Sequence, residues 1–327
     1  MSSAVLLINL GTPAEPTPKA VRKFLKEFLS DPYVVEIPRP VWWVILNFFI
    51  LPRRSKAAAA RYASIWTKEG SPLRFHTEKQ MKFVRGYLGE RGHRDILIEY
   101  AMRYGEPAIK SQLSVFKEKN VKRLTLLPLY PQYARSSTAT ALDAATAALT
   151  QLDYHPEVHR IEDFHDHPDY IAALANSVRE YRLHTAGRPD QLVMSFHGVP
   201  RYTIDRGEPY QQHCLKTGQL LAAALNLGEQ QYQICFQSRF GRAKWIKPYT
   251  ADVLAELGKQ KTGRIDVICP GFVSDCLETL EEIAVEGKQI FTAAGGGEYN
   301  YIPCLNERHD WLQALTDMAL HTLGKKS

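Results

Sequence analysis

The sequence predicts an α/β protein built as two similar halves, and three observations predict it. Short apolar runs alternate with helical periodicity along all 327 residues, the order that yields parallel sheets covered on both faces. Eight such runs are present, enough for two sheets of four. The chain is also long enough for two cores, and the His- and Pro-rich stretch Gln151–Pro168 near its middle offers a crossover.

The first run, Ala4–Leu10, is ended by Gly11-Thr12-Pro13. Behind Thr17, the residues Val21, Phe24, Leu25, Phe28 and Leu29 fall at i, i+3, i+4, i+7 and i+8, one apolar stripe of a helix. Helical Glu78–Leu88 precedes the run Ile96–Met102, Ile109–Phe116 precedes Leu124–Leu129, and Ala139–Leu152 precedes Glu157–Ile161. The pattern repeats: Tyr170–Arg182 and Leu192–Phe196, Gln212–Leu225 and Tyr232–Phe236, Ala251–Leu257 and Ile265–Cys269. The run Tyr299–Cys304 follows, and a last helix, Asp310–Leu323, opens behind Asn306 as its expected cap. The expected domains are 1–160 and 161–305, with the C-terminal helix 306–327 free to pack back on the first.

Between the first two runs stands PRPVWWVILNFFILPRRSK, Pro38 to Lys56. Ten of the eleven residues Val41–Leu51 are apolar, with Arg39, Arg53 and Arg54 at the flanks. As a helix it would reach about 17 Å, roughly half of a hydrocarbon core, so it does not span a bilayer alone.

Composition is ordinary for a globular chain, with 45% hydrophobic and 23% charged residues. The net charge of +6 suits an anionic ligand or an acidic membrane surface. Without longer Lys/Arg blocks it does not make a nucleic-acid footprint. The N-terminus lacks a charged leader and cleavage pattern, so no signal peptide is expected. Five widely spaced cysteines contain no C-x-x-C, which favours a reduced, cytosolic chain.

Open α/β sheets bind ligands beyond the carboxyl ends of their strands. Those positions here carry Arg103-Tyr104-Gly105, Tyr130-Pro131-Gln132-Tyr133 with Ser136-Ser137-Thr138, Ser195-Phe196-His197-Gly198, Gln237-Ser238 with Trp245, and Asp275 to Glu282. No G-x-G-x-x-G opens a helix after the first run, and no G-x-x-x-x-G-K-[ST] occurs, which argues against a dinucleotide or P-loop site. His197 ends a strand and is followed by glycine, so its imidazole can accept a proton or ligate a metal. Asp275, Glu278 and Glu282 sit at i, i+3 and i+7 and would line one helix face. The pair His165 and His167 is discounted as a metal site, because Asp166 or His167 is expected to cap the following helix.

Assembled, these residues resemble the ferrochelatases, which insert Fe(II) into protoporphyrin IX. The resemblance runs from Leu7-Ile8-Asn9-Leu10-Gly11-Thr12-Pro13 to the last helix. It is carried by Ser195-Phe196-His197-Gly198-Val199-Pro200, by Tyr130-Pro131-Gln132-Tyr133, by Asp205-Arg206-Gly207-Glu208-Pro209-Tyr210 and by Ser274-Asp275-Cys276-Leu277-Glu278-Thr279-Leu280. It implies two Rossmann-like domains, each with a four-stranded parallel sheet. It implies His197 and Glu278 as catalytic or iron-binding residues, with Glu282 continuing an acidic path. Arg103, Tyr104, Tyr130, Ser136 and Trp245 would bind the porphyrin. It departs at Cys276, where many relatives carry histidine. Fe(II) would be a substrate, with no permanently bound cofactor and no iron–sulfur cluster. Val41–Leu51 would rest on membrane as the lip of the porphyrin cleft, giving a cytoplasmic enzyme with peripheral contact at the inner membrane. Two alternatives stay open on sequence alone: a related chelatase for coproporphyrin III or another metal, and a non-catalytic tetrapyrrole carrier.

Overall fold

The computed structural model describes residues 2–185, 189–241 and 243–325, and within them all eight expected strands form. They are β1 (Ser3–Gly11), β2 (Ile96–Tyr104), β3 (Arg123–Pro128), β4 (Glu157–Arg160), β5 (Gln191–His197), β6 (Tyr232–Gln237), β7 (Arg264–Ile268) and β8 (Glu298–Tyr301). They make two four-stranded sheets, ordered β2-β1-β3-β4 and β6-β5-β7-β8, and every pairing is parallel. The second sheet repeats the strand order of the first. Central strands read as unbroken apolar runs because helices cover both faces; Ala4 to Ile8 of β1 are wholly buried.

The chain divides into two compact units. One holds the chain up to Leu129, Arg135–Asp163 and the part from Leu312 onward; the other holds Tyr130–Ala134 and Phe164–Trp311. Residues 326–327 of the expected terminal segment lie outside the described residues. In each sheet the chain leaves one central strand, adds an edge strand on one side, then crosses to the other side. The reversal falls between β1 and β3, and again between β5 and β7, and the loops beyond those strand ends form the natural ligand crevice of such a sheet.

The first helix, Pro18–Leu29, begins as its sequence predicts. The Thr17 hydroxyl accepts the Ala20 N–H, Pro18 occupies the first turn, and Val21, Phe24 and Leu29 are buried. The expected Asn306 cap has a second role in the second unit. The last helix starts at His309, and the Asn306 side chain donates to Asp275 Oδ2 at 2.7 Å and accepts the Asp275 N–H at 2.9 Å. Asn306 adopts φ +45°, a left-handed conformation that asparagine tolerates.

The apolar stretch is helical, in three consecutive parts: Arg39–Val44, a π-helical turn Ile45–Ile50, and Leu51–Ile65. The wide turn sets its inward residues at Trp42, Leu46 and Leu51, which pack with Leu29 and Val35. The Trp42 indole N–H donates to the Leu29 carbonyl at 2.6 Å. The other face is bare: Trp43 is 56% exposed and Phe48 64%. So Trp42 belongs to the core, while Val41, Trp43, Val44, Phe48 and Phe49 form an exposed apolar surface. No described helix is long and apolar enough to cross a membrane.

Candidate active site

Strand β5 delivers His197 at its last position, half-buried. Its Nδ1 lies 2.6 Å from the Gly198 carbonyl oxygen. A carbonyl only accepts, so Nδ1 carries the hydrogen and the neutral ring presents its lone pair at Nε2. The next residue must be glycine. A Cβ on Gly198 would lie 2.9 Å from the Gln237 carbonyl oxygen and 3.1 Å from Trp245 Cε3, while the Gly198 N–H donates to that same carbonyl at 2.8 Å. The Trp245 and Phe272 rings flank the imidazole, with centroids at 6.4 and 6.5 Å. Trp245 is itself largely buried, its indole N–H held by the Phe240 carbonyl at 3.0 Å. It braces His197 and offers little surface to a substrate.

After β7 the chain enters a π-helix, Glu278–Gly287. Its wide turn brings Glu278 and Glu282, four residues apart, to one face. Beyond β6, the Ser238 N–H donates to Glu282 Oε1 at 2.7 Å and the Ser238 hydroxyl to Oε2 at 2.6 Å. One residue thus grips both carboxylate oxygens, and it does so from φ +67°, a strained conformation for serine. Burial raises the Glu282 carboxyl above its ordinary pKa, while the Ser238 hydroxyl and the charge of His197 act in the opposite direction. The π-helix is tied to the sheet by a relay: the Ser195 hydroxyl donates to Gln237 Oε1, and Gln237 Nε2 donates to the Glu278 carbonyl, each at 2.7 Å.

Asp275 leaves the expected carboxylate row. It is buried, its Oδ1 accepts the Thr279 hydroxyl at 2.9 Å and the Tyr301 hydroxyl, and Asn306 holds Oδ2. The helix begins at Leu277, its first bond running from the Leu280 N–H to the Cys276 carbonyl, so Asp275 lies ahead of it and the i, i+3, i+7 reading assumed a helical start two residues too early. Cys276 is buried too; its thiol pKa is raised by burial first, then by the charge and hydrogen bond of Glu278.

Other expected residues divide by unit. Tyr130 lies with the His197 unit, in the Tyr130–Ala134 run, where Gln132 Nε2 donates to Thr217 Oγ1 at 3.0 Å. Arg103, Tyr104 and Ser136 belong to the other unit, Ser136 in a π-turn Arg135–Ala139. Tyr104 is only 1% exposed, with its hydroxyl on Asp31 Oδ2 at 2.8 Å, so it forms a wall behind Arg103 and offers no face of its own. Asp31, Thr140 and Ser238 were not among the expected site residues. Gln237-Ser238 at the end of β6 was a readable signal, whereas nothing local marks Asp31. His165 meets His213, its ring stacked at 3.7 Å and 4°. His213 Nδ1 accepts the Tyr133 N–H at 3.3 Å, which takes that lone pair from any metal.

Known proteins place these features in a family. A family model for ferrochelatase matches residues 2–323. The ferrochelatase of Chromobacterium violaceum is 59% identical over 322 residues, covering 98% of this chain and 88% of that protein. The ferrochelatase of Aromatoleum aromaticum is 54% identical with the same coverage. Among solved structures, SirB from Bacillus subtilis with Fe3+ superposes with a TM-score of 0.58 at 12% identity, covering 98% of this chain and 96% of that one. CbiX, the terminal enzyme for biosynthesis of siroheme in denitrifying bacteria, gives 0.51 at 13% identity, covering 97% and 98%. At such identities these two likenesses speak for the fold alone, two Rossmann-like units. The full-length family match and the high identities carry the assignment: this chain belongs to the ferrochelatase family.

Proposed function

We propose that this protein inserts Fe(II) into protoporphyrin IX to form protohaem, acting as a lyase at the last step of haem synthesis. The observation that carries the reading is His197, whose Nδ1 is taken by the Gly198 carbonyl so that Nε2 is the ring nitrogen left for a ligand, close enough to the π-helix acids to act on the Glu282 carboxyl. Metal insertion breaks two pyrrole N–H bonds and forms four Fe–N bonds, and two protons leave while iron stays Fe(II). His197 Nε2 accepts a pyrrole proton, and Glu278 takes it onward with Glu282 behind it. A base at the ring and an acidic run leading away from it are what that proton balance requires. Imidazole and carboxylate also suit Fe(II), so the same pair can serve the incoming metal. Iron is substrate here, and the reading needs no resident cofactor.

The porphyrin is an apolar plate with carboxylate arms. Arg103 offers a guanidinium to a carboxylate, and Tyr130 and Ser136 lie on loops beyond strand ends. Binding the ring bent would tilt its nitrogens toward the metal, the strain being supplied by contacts remote from the centre. The bare face of Val41, Trp43, Val44, Phe48 and Phe49, flanked by arginines, would rest on the cytoplasmic surface of the inner membrane. The test is anaerobic turnover of protoporphyrin with Fe(II), followed by the change in porphyrin absorption, in wild type and Glu278→Gln. Wild type should metallate the ring and the variant should be slowed by roughly a hundredfold. Binding of porphyrin with a lasting metal-free spectrum would reduce the protein to a carrier.

A further inference from the structure

We propose that Asp31 is a positioning residue that fixes Arg103 with one guanidinium edge turned to a substrate carboxylate. The proposal rests on Arg103 being a porphyrin contact. Asp31 follows the helix Pro18–Leu29 and is sealed from solvent, its side chain 3% exposed. It cannot itself reach a ligand. Its Oδ1 accepts the Tyr33 N–H at 2.8 Å. Three donors converge on Oδ2: Arg103 Nη2 at 2.5 Å, the Thr140 hydroxyl at 2.6 Å and the Tyr104 hydroxyl at 2.8 Å. Those four bonds, three of them on Oδ2, leave that oxygen no further acceptor capacity.

The other side of the network is Arg103. Its Nε donates to Thr140 Oγ1 at 2.8 Å and to the Thr140 carbonyl at 3.1 Å. The guanidinium also lies 4.4 Å over the Tyr104 ring. Asp31, Thr140 and Arg103 therefore close a ring of hydrogen bonds, with Tyr104 as its floor. One edge and one face of the guanidinium are fixed. Among the described residues nothing takes Nη1, and the side chain keeps 21% of its surface open. A planar cation held this way meets a carboxylate without losing further rotamer freedom.

Burial alone would raise the Asp31 pKa; the hydrogen bonds from Thr140, Tyr33 and Tyr104 and the charge of Arg103 outweigh it and lower the value. The carboxylate is therefore ionised at neutral pH. Asn in its place would turn an N–H2 or a weaker oxygen toward three donors.

The experiment compares KM and kcat for protoporphyrin IX and for its dimethyl ester in wild type, Asp31→Asn, Arg103→Ala and the double variant. Asp31→Asn should raise KM for the dicarboxylic porphyrin by about ten- to hundredfold with kcat within about twofold. The ester should be indifferent to it, and the double variant should match Arg103→Ala. If Arg103→Ala raises KM and Asp31→Asn does not, positioning by Asp31 is wrong while the Arg103 contact stands. If Arg103→Ala leaves KM unchanged, the contact itself fails and the proposal falls with it. Equal losses on acid and ester would also overturn it. Should Asp31→Asn not fold, Thr140→Val and Thr140→Ser carry the same test: KM rises for valine and recovers for serine, and wild-type KM in the valine variant refutes the network.

Discussion

Replacing Gly198 by alanine adds one methyl group at the point where His197 is held. The new Cβ would sit 2.9 Å from the Gln237 carbonyl oxygen, closer than real side-chain carbons approach, and 3.1 Å from Trp245 Cε3. Neither neighbour yields easily. The carbonyl belongs to the β5–β6 ladder, where His197 pairs with Gln237, and Trp245 is buried and pinned through its indole N–H. Overpacking of this kind costs about 2 kcal/mol, a fall in Tm of roughly 3 °C in a chain of this size. Activity should suffer more than stability. The Gly198 carbonyl fixes the imidazole tautomer, and a shift of about 1 Å at a reacting group costs on the order of a hundredfold in kcat. Gly86→Ala is the matched control. It lies inside the helix Pro72–Glu90 with nothing within 4 Å of an added Cβ, and should gain about 0.5–1 kcal/mol. The assays are thermal unfolding and anaerobic metal insertion. A Gly198→Ala protein with wild-type Tm and kcat would refute the claim that close packing at this glycine sets the histidine.

The exposed apolar helix face predicts a split between neighbours. Trp43, Phe48 and Phe49 changed together to serine should lose liposome binding at near-constant Tm, whereas Trp42→Ala should cost about 3–5 kcal/mol of stability measured in urea; unchanged liposome binding would return the surface to ordinary exposure. The lowered Asp31 pKa stabilises the fold above the ordinary aspartate value and loses that contribution as pH falls through its folded value. The stability gap between wild type and Asp31→Asn should therefore be full above about pH 4 and close in stronger acid. For Glu282 the sign reverses: burial raises its pKa, so ionising it works against the fold as pH rises from its unfolded to its folded value. Urea unfolding of Glu282→Gln should lack that downward slope, and an identical slope would show that Glu282 is not desolvated.

Much of this was legible in sequence, for identifiable reasons. The central strands β1, β3, β5 and β7 are buried on both faces and read as short apolar runs bounded by turns, while the edge strands β4 and β8 are more exposed and were marked by their place between helical segments. His197 was legible because a polar ring closes an otherwise apolar strand, and the glycine behind it ends regular structure at the crevice. What failed shares one cause, since periodicity assumes regular helices. The π-turn at Ile45–Ile50 decides which apolar residues turn inward, Trp42, Leu46 and Leu51, and which stay exposed, and regular periodicity could not sort them. A helix that starts at Leu277 left Asp275 ahead of it and detached from its supposed row. Asp31 was invisible because its partners, Arg103, Tyr104 and Thr140, lie 72 to 109 residues away. Tyr104 and Trp245, expected at the porphyrin, are largely buried. Nothing in an aromatic letter tells which side of a strand end it will take.

The most direct test of the central claim removes the imidazole and then returns it. His197→Ala, which leaves the Gly198 carbonyl and the π-helix carboxylates in place, is assayed for Fe(II) insertion with and without added imidazole. The account predicts a loss on the order of 10²–10⁴-fold, partly restored by free imidazole in proportion to its neutral form. Turnover equal to wild type without imidazole would contradict it.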